Sequence, residues 1–327
     1  MLDQLPQKIR IGVLGCANIA VRSIIPELAI HPQFQLAGIA SRSAEKREAL
    51  ASEYNCGSYL YEDLINERDV DAIYIPLPTG LHYEWVMKCL RSGKHVLCEK
   101  SLGCSLAEVK DIVLLAENHG LLVMENFQFR FHSQNAYVKN VLASGQLGEI
   151  RCFRASFGFP PFADGMKNIR YRKDLGGGAL LDAGAYTLKA SSFFLGHDLS
   201  VKAATKSFQR CCEVDTYGSA YLIAANGAVA ETAYGFDNFY QCGYEIWGSQ
   251  GKLTTKRAFT APPGLAPEIS VETKGKNECI KLSPDNHFAN MLTYFSETIK
   301  SGRYETEYAE CLTQARLIQE VVNVIGI

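Results

Sequence analysis

Ile9-Arg10-Ile11-Gly12-Val13-Leu14-Gly15-Cys16-Ala17-Asn18-Ile19-Ala20 runs an apolar strand pattern into a glycine and then into a helical pattern. From Gly15 onward it follows GxGxxG with alanine at the second and third glycine positions. A tight turn at Gly15 followed by small residues lets the amides of a helix N-terminus approach a pyrophosphate. Ala17 and Ala20 are small enough, although Ala17 is denied a glycine-only backbone conformation. Alone the pattern is a weak signal, and an ordinary strand-to-helix turn is the bland alternative.

Its neighbours strengthen it. Strand patterns at Ile9-Gly15, Phe34-Ser41, Asp71-Pro76, His95-Glu99 and Leu121-Glu125 alternate with helical patterns at Asn18-Ile30, Ala44-Tyr54, Leu81-Ser92 and Leu106-His119. That alternation is the mark of an α/β domain, a Rossmann-type doubly wound parallel sheet. After Asn126 the pattern becomes one long helix followed by many strands, so the reading places a dinucleotide-binding domain at 1–125 and an α+β domain at 126–327. In the second domain Glu149-Phe159 alternates with period two, Gly178-Leu195 is helical, and Val201 to Leu282 is rich in β-branched and aromatic residues. A large, mostly antiparallel open sheet is expected there, with a tight hairpin at Asn226-Gly227, both positions tolerating positive φ. Helices at Asp285-Ser301 and Glu307-Val324 close the chain.

The 327 residues suit two domains of ordinary size, and 47% apolar with 21% charged residues describes a globular protein. A net charge of -2 offers no excess of cations for a phosphate backbone, so no nucleic-acid partner is expected. The first ten residues lack the apolar core of a secretory signal, and no run approaches about 18 apolar residues; a cytoplasmic protein with no membrane partner is expected. Of the eleven cysteines, Cys16, Cys56, Cys89, Cys98 and others are scattered singly, many in apolar runs, and read as buried thiols in a reducing compartment. Cys211-Cys212 is the only close pair, and no CxxC, HxH or HExxH spacing suggests a metal. A GxSxG elbow and a Walker loop are also missing, which argues against a serine hydrolase or a P-loop enzyme.

The second strand pattern ends Ala40-Ser41-Arg42-Ser43, with no carboxylate from Leu36 to Ala44 to accept ribose hydroxyls. Arg42 instead suits a 2′-phosphate and the adenine face while Ser41 donates a hydrogen bond, which favours NADP(H) over NAD(H). The fifth strand pattern ends Cys98-Glu99-Lys100, at the sheet edge where such folds bind ligands. Asp182 and Tyr186, four apart, share one face of the helix that follows Gly176-Gly177-Gly178. Blander roles exist for each: Arg42 as a solvated residue, Lys100 as a surface lysine, Asp182 as a helix cap and Tyr186 as a core aromatic.

With these residues assembled, the chain resembles the glucose-fructose oxidoreductase/inositol dehydrogenase (Gfo/Idh/MocA) family over nearly its whole length. The likeness rests on the loop at Gly15, on Ile75-Pro76-Leu77-Pro78-Thr79 followed by His82, and on Glu99-Lys100 where the family has Glu-Lys-Pro. Arg130-Phe131-His132 and Gly177-Gly178-Ala179-Leu180-Leu181-Asp182 complete it. Inositol dehydrogenase-like members carry histidine four residues after the aspartate. Tyr186 here is similar to nucleotide-sugar 3-ketoreductases, glucose-fructose oxidoreductase and dihydrodiol dehydrogenases, as is Asn168-Ile169-Arg170-Tyr171-Arg172. The resemblance implies that Gly15, Cys16, Ala17, Asn18 and Ile19, then Ser41 and Arg42, then Pro76, Leu77, His82, Glu99, Lys100 and Asn126, hold the cofactor. It implies a substrate at Lys100, Arg130, Asn168, Arg170, Arg172, Asp182 and Tyr186. Packing is an equal alternative for His82. Ser101 replaces the family proline, and since serine lacks proline's tolerance of cis, a trans peptide and a displaced Lys100 are expected.

The implied activity is hydride transfer to or from a sugar-like carbonyl. Tyr186 would give the proton, Lys100 would stabilise the tyrosinate and polarise the carbonyl, and Asp182 would hold a substrate hydroxyl or orient the lysine. Reduction of a nucleotide-linked 3-keto sugar is the first expectation, with Arg170 and Arg172 toward the diphosphate. A dehydrogenase of a free sugar, inositol or trans-dihydrodiol is the alternative, and a non-catalytic NADP-sensing regulator is the alternative from another class. Apolar alternation at Tyr217-Ile223 and Val229-Phe236 predicts a homodimer or homotetramer through the C-terminal sheet.

Overall fold

A computed structural model describes residues 8–209 and 212–326, which form two compact units. The first takes in residues up to Gly103, Ala107–Asn126 and Phe288–Leu312; the second holds Cys104–Leu106, Phe127–His287 and residues from Thr313 on.

The first unit is built on β1 (Ile9–Leu14), β2 (Phe34–Ala40), β3 (Gly57–Tyr59), β4 (Ala72–Ile75), β5 (His95–Glu99) and β6 (Val123–Asn126). Their order is β3-β2-β1-β4-β5-β6, every pair parallel. Helices cover both faces of such a sheet, so its central strands are apolar throughout; Ile11, Val13, Leu14, Ile73, Tyr74 and Ile75 are fully buried. The winding reverses between β1 and β4, the switch point at which this topology binds dinucleotides.

Two local features depart from the sequence reading. The helix expected over Asn18-Ile30 opens as a wide π-turn at Ala20–Ile24 before the α-helix Ile25–Ile30. Pro26 lies in the first turn of the α stretch; it has no N–H, and its ring would collide with the carbonyl four residues back in a regular helix. Short β3 and the helix Tyr61–Asn66 have no counterpart in the reading.

The first unit also takes back the helix that begins at His287 and ends at Ser301. Phe295 stacks on Phe34, with ring centroids 6.3 Å apart, and Thr293 lies 3.2 Å from His31 Nε2. From the next helix, the Tyr308 hydroxyl donates to the Leu121 carbonyl at 2.6 Å. The linear pattern contains no sign of this return.

The second unit carries β7 (Ile150–Gly158), β8 (Leu199–Ser207), β9 (Tyr217–Ala224), β10 (Val229–Gly235), β11 (Gln241–Gly248), β12 (Gly251–Lys256), β13 (Glu268–Thr273) and β14 (Lys276–Lys281). They form one open sheet, β14-β13-β12-β11-β7-β10-β9-β8, in which only β7 and β10 run parallel. The expected fold class is therefore the observed one. The helix Ala185–Leu195 packs on β7 and β10, where Phe153, Ala155, Ala230 and Thr232 are buried. The other face stays open. There Arg154 lies in register between Glu231 and Glu245 and pairs with both, at 2.7 and 3.1 Å, while Tyr217, Tyr221 and Trp247 are exposed.

The hairpin between β9 and β10 falls where Asn226-Gly227 predicts it, but only Gly227 has positive φ, 83°. Asn226 accepts from the Ala228 amide through Oδ1 at 3.1 Å, and the Ala224 amide reaches the Ala228 carbonyl at 2.8 Å. The loop is longer than a two-residue turn, so one left-handed position is enough.

The ten described cysteines are free thiols. Cys104 and Cys279 are exposed rather than buried, because one sits on the turn after β5 and the other on the edge strand β14. Cys211, and with it the Cys211-Cys212 pair, lies outside the described residues. Among the described residues no helix is long and apolar enough to cross a membrane.

Candidate active site

Gly15 ends β1 with φ of 131°, and its amide donates to the Ala40 carbonyl at 2.9 Å. A Cβ there would meet Leu77 Cδ2 at 3.0 Å, so the turn needs glycine twice over, for its backbone and for the approach of the β4 end. Ala17 keeps negative φ, and its carbonyl opens the next helix by accepting from the Val21 amide at 3.0 Å. Asn18 is exposed, Cys16 and Ile19 are half-buried, and burial raises the Cys16 thiol's pKa against an opposing hydrogen bond with Ser41.

At the end of β2, buried Ser41 accepts from the Ser43 amide at 3.2 Å and receives Arg47 Nη1 on its carbonyl at 3.2 Å. Ser43 in turn caps the helix Ala44–Glu53 by accepting from the Lys46 amide. This fixes the strand end and leaves Arg42 exposed. Burial raises the Tyr61 phenol, and Arg42 works against that rise.

Around Lys100 the polar groups are internally engaged. Glu99 accepts from the Tyr74 hydroxyl and from Asn126 Nδ2, each at 2.7 Å, and burial raises its pKa. His82 is fully buried, with Nε2 2.7 Å from the Leu77 carbonyl and Nδ1 2.7 Å from the Ser101 carbonyl. Two carbonyls draw a second proton onto the ring, but burial and the Lys100 charge outweigh them and lower its pKa to about 4. The Leu102 amide donates to Glu125 Oε1 at 2.9 Å. Lys100 is half-buried. The Lys100-Ser101 peptide is cis, which overturns the expectation of a trans bond; the chain is held immediately beyond it, at the Ser101 carbonyl and the Leu102 amide.

In the second unit the glycines before the site helix are each constrained. A Cβ on Gly177 would meet the Arg170 carbonyl at 2.4 Å, and Gly178, with φ of 119°, has Asp215 Oδ1 2.6 Å from the same point. Asp215 caps the helix by accepting from the Leu180 amide through Oδ2 and from the Ala179 amide through its carbonyl, each at 2.8 Å. The helix begins as a π-turn, Leu180–Gly184, and continues as Ala185–Leu195. Asp182 sits on the wide turn and accepts from Arg170 Nε at 2.6 Å. Asp182 raises the Arg170 pKa, and the guanidinium lies 4.8 Å from the Phe162 ring centre.

Tyr186 is 6% exposed, ringed by Phe127, Phe129, Phe157 and Phe259 at centroid distances of 5.2 to 6.0 Å. Its hydroxyl accepts from Gln128 Nε2 at 3.3 Å. Neither Gln128 nor the aromatic cage carries a motif that sequence reading picks out; a buried glutamine between two phenylalanines is the only signal. Asn168 binds Asp164 and accepts from the Arg170 amide, Arg172 pairs with Asp174, and Arg130 lies over Phe131. Lys100 and Tyr186 belong one to each unit.

Two observations bear on a cofactor. The Gly15 turn leaves no room for a side chain beside a helix start, and Asn126 Oδ1 is buried without a hydrogen-bond partner among the described residues. Both fit a dinucleotide at the carboxyl edge of the first sheet.

Comparison with known proteins agrees with this geometry. A model for the oxidoreductase family with NAD-binding Rossmann fold (GFO_IDH_MocA) matches residues 9–127, and one for the GFO/IDH/MocA C-terminal domain matches 135–254. The chain is 39% identical over 295 residues to a dTDP-3,4-didehydro-2,6-dideoxy-alpha-D-glucose 3-reductase of Saccharopolyspora spinosa, covering 90% of this chain and 88% of that one. A D-xylose 1-dehydrogenase (NADP(+)) of Haloferax volcanii is 34% identical, with 89% of each covered. Among solved structures, a 3-ketoreductase from Actinomadura kijaniata in complex with NADP and TDP-benzene superposes with a TM-score of 0.92 at 37% identity, over 97% of this chain and 98% of that one. The chain belongs to the Gfo/Idh/MocA oxidoreductase family.

Proposed function

We propose that this chain reduces the 3-keto group of a nucleotide-linked deoxysugar with NADPH. The observation that carries the reading is the near full-length likeness to dTDP-sugar 3-reductases in a chain that has Lys100, Asp182 and Tyr186 at the motif positions. Gly15 to Ile19, Ser41, Arg42, Pro76 and Leu77 would hold the dinucleotide. When bound, it supplies the hydride that reaches the ketone carbon.

The chain's own groups handle the proton and the charge. Tyr186 gives its hydroxyl proton to the carbonyl oxygen, which ends as the hydroxyl of the product. Lys100 Nζ polarises that oxygen and stabilises the phenolate left behind. The cage of phenylalanines excludes water from the phenol, and Gln128 orients it. Asp182, held by Arg170, receives a substrate hydroxyl on its carboxylate. Arg172 is the substrate cation toward the diphosphate, exchanging Asp174 for it.

The test is turnover of a dTDP-linked 3-keto sugar by the purified protein with NADPH. Tyr186→Phe and Lys100→Ala are each expected to lose about a hundredfold or more in kcat; under threefold in both would end the assignment. The D-xylose dehydrogenase relative motivates a second reading, oxidation of a free sugar with NADP+. Turnover of D-xylose together with inertness toward the dTDP-sugar would select it. Retained Lys100 and Tyr186 weigh against a purely sensing role.

For assembly we infer a dimer or tetramer through the open face of the second unit's sheet, supported by exposed Tyr217, Tyr221 and Trp247 around the Arg154 ladder. Light scattering of Trp247→Glu against the unaltered chain tests it. A lower mass for the variant is expected, and an unaltered chain already monomeric at micromolar concentration would sink the idea.

A further inference from the structure

We infer that Glu125 and His82 are positioning residues for Lys100, two buried ionisable side chains that fix the main chain just beyond the reacting amine. The inference rests on the reading that Lys100 acts on the carbonyl. Ser101 and Leu102 are each 1% exposed, whereas Lys100 is half-buried. The chain is gripped at consecutive points: the Glu99 carboxylate by Tyr74 and Asn126, the Ser101 carbonyl by His82, and the Leu102 amide by Glu125. Glu125 stands on β6 and His82 on the helix Thr79–Arg91, so the turn after β5 is tied to the elements on either side of it.

Burying a carboxyl and an imidazole costs free energy that an apolar pair would spare. Their contacts with main-chain atoms, rather than with each other, locate what they hold. The lysine stem is flexible, so its Cα must be fixed if Nζ is to meet a carbonyl oxygen reproducibly; a displacement of about 1 Å is enough to cost about a hundredfold in rate.

The experiment compares Glu125→Met, Glu125→Gln and His82→Leu in the full-length protein with NADPH, reading kcat, Kd for NADPH by nucleotide fluorescence, and the melting temperature. Glu125→Met and His82→Leu are expected to lower kcat at least tenfold, with Kd changed less than threefold in Glu125→Met. Glu125→Gln keeps an acceptor for the Leu102 amide and is expected to stay within threefold in kcat. Lys94→Met is the control for simple destabilisation: Lys94 Nζ caps the Glu67 and Val70 carbonyls at the opposite edge of the same sheet, so its loss lowers melting but not kcat. Equal losses in Glu125→Met and Glu125→Gln, or a kcat that simply tracks melting across all four variants, overturn the inference. If Glu125→Met does not fold, amide exchange of Leu102 in the unaltered protein decides, strong protection being required. Should Lys100→Ala be inactive while Glu125→Met and His82→Leu turn over normally, the positioning fails alone; an active Lys100→Ala removes the reading beneath it.

Discussion

Arg42 stands exposed at the end of β2, beside a buried Ser41 whose oxygens are engaged with the turn. An exposed guanidinium, with no carboxylate from Leu36 to Ala44, favours a 2′-phosphate. A charge-assisted hydrogen bond contributes about 1.5–3 kcal/mol, so Arg42→Ala is expected to weaken NADPH roughly ten- to hundredfold and leave NADH nearly unchanged. Fluorescence titration with both nucleotides checks this, and equal losses for the two would refute the phosphate role. Arg170 shows a limit of reading at this scale. The sequence marks it as a cation near the site, but its carboxylate partner Asp182 lies beyond three glycines, and only the folded loop brings them to 2.6 Å. Gln128 is harder still, because a glutamine among phenylalanines resembles any surface position until the burial around Tyr186 is known.

At the scale of elements, legibility followed burial and length. β1, β2 and β5 are apolar runs enclosed between helices, and their sequence limits match the observed ones to within a residue. β3, at three residues, and the helix Tyr61–Asn66, at six, are too short for either period to register. The π-turns at Ala20–Ile24 and Leu180–Gly184 also leave no periodic trace, since one extra residue in a turn shifts the pattern no more than ordinary noise. The Gly15 turn makes the strongest element-level claim. Alanine there must adopt φ near 131° and place a Cβ 3.0 Å from Leu77, a strain of about 1–3 kcal/mol. Gly15→Ala is accordingly expected to lose NADPH binding and to unfold at lower denaturant concentration. Wild-type nucleotide affinity in a stably folded variant would show that this turn does not face the cofactor.

For the whole molecule, the change from alternating elements to a continuous run of strands was visible near Asn126, whereas the return of Phe288–Leu312 to the first unit was not. That return depends on Phe295 finding Phe34, a long-range match between two ordinary core residues that local pattern cannot encode. The same long-range packing sets how the fold responds to acid. His287, at the start of the returning helix, is 2% exposed, and burial lowers its pKa from 6.5 to about 4, with His132 pressing the same way and Asp285 opposing. His132 is lowered by burial too, again against Asp285. In the unfolded chain these rings take protons near their ordinary pKa, while in the folded protein they stay neutral. Stability is therefore highest above about pH 6.5 and falls as the pH drops toward 4, at up to about 1.4 kcal/mol per pH unit for His287, with His132 acting in the same direction. Between pH 6.5 and pH 5, His287 alone accounts for roughly 1.6 kcal/mol. Urea unfolding at the two pH values should show that loss, and His287→Gln should flatten the slope whatever it does to stability at neutral pH, because glutamine has no proton to gain. An identical pH slope in the variant would mean that His287 titrates alike in the folded and unfolded chains, and that acid acts on this protein through other groups.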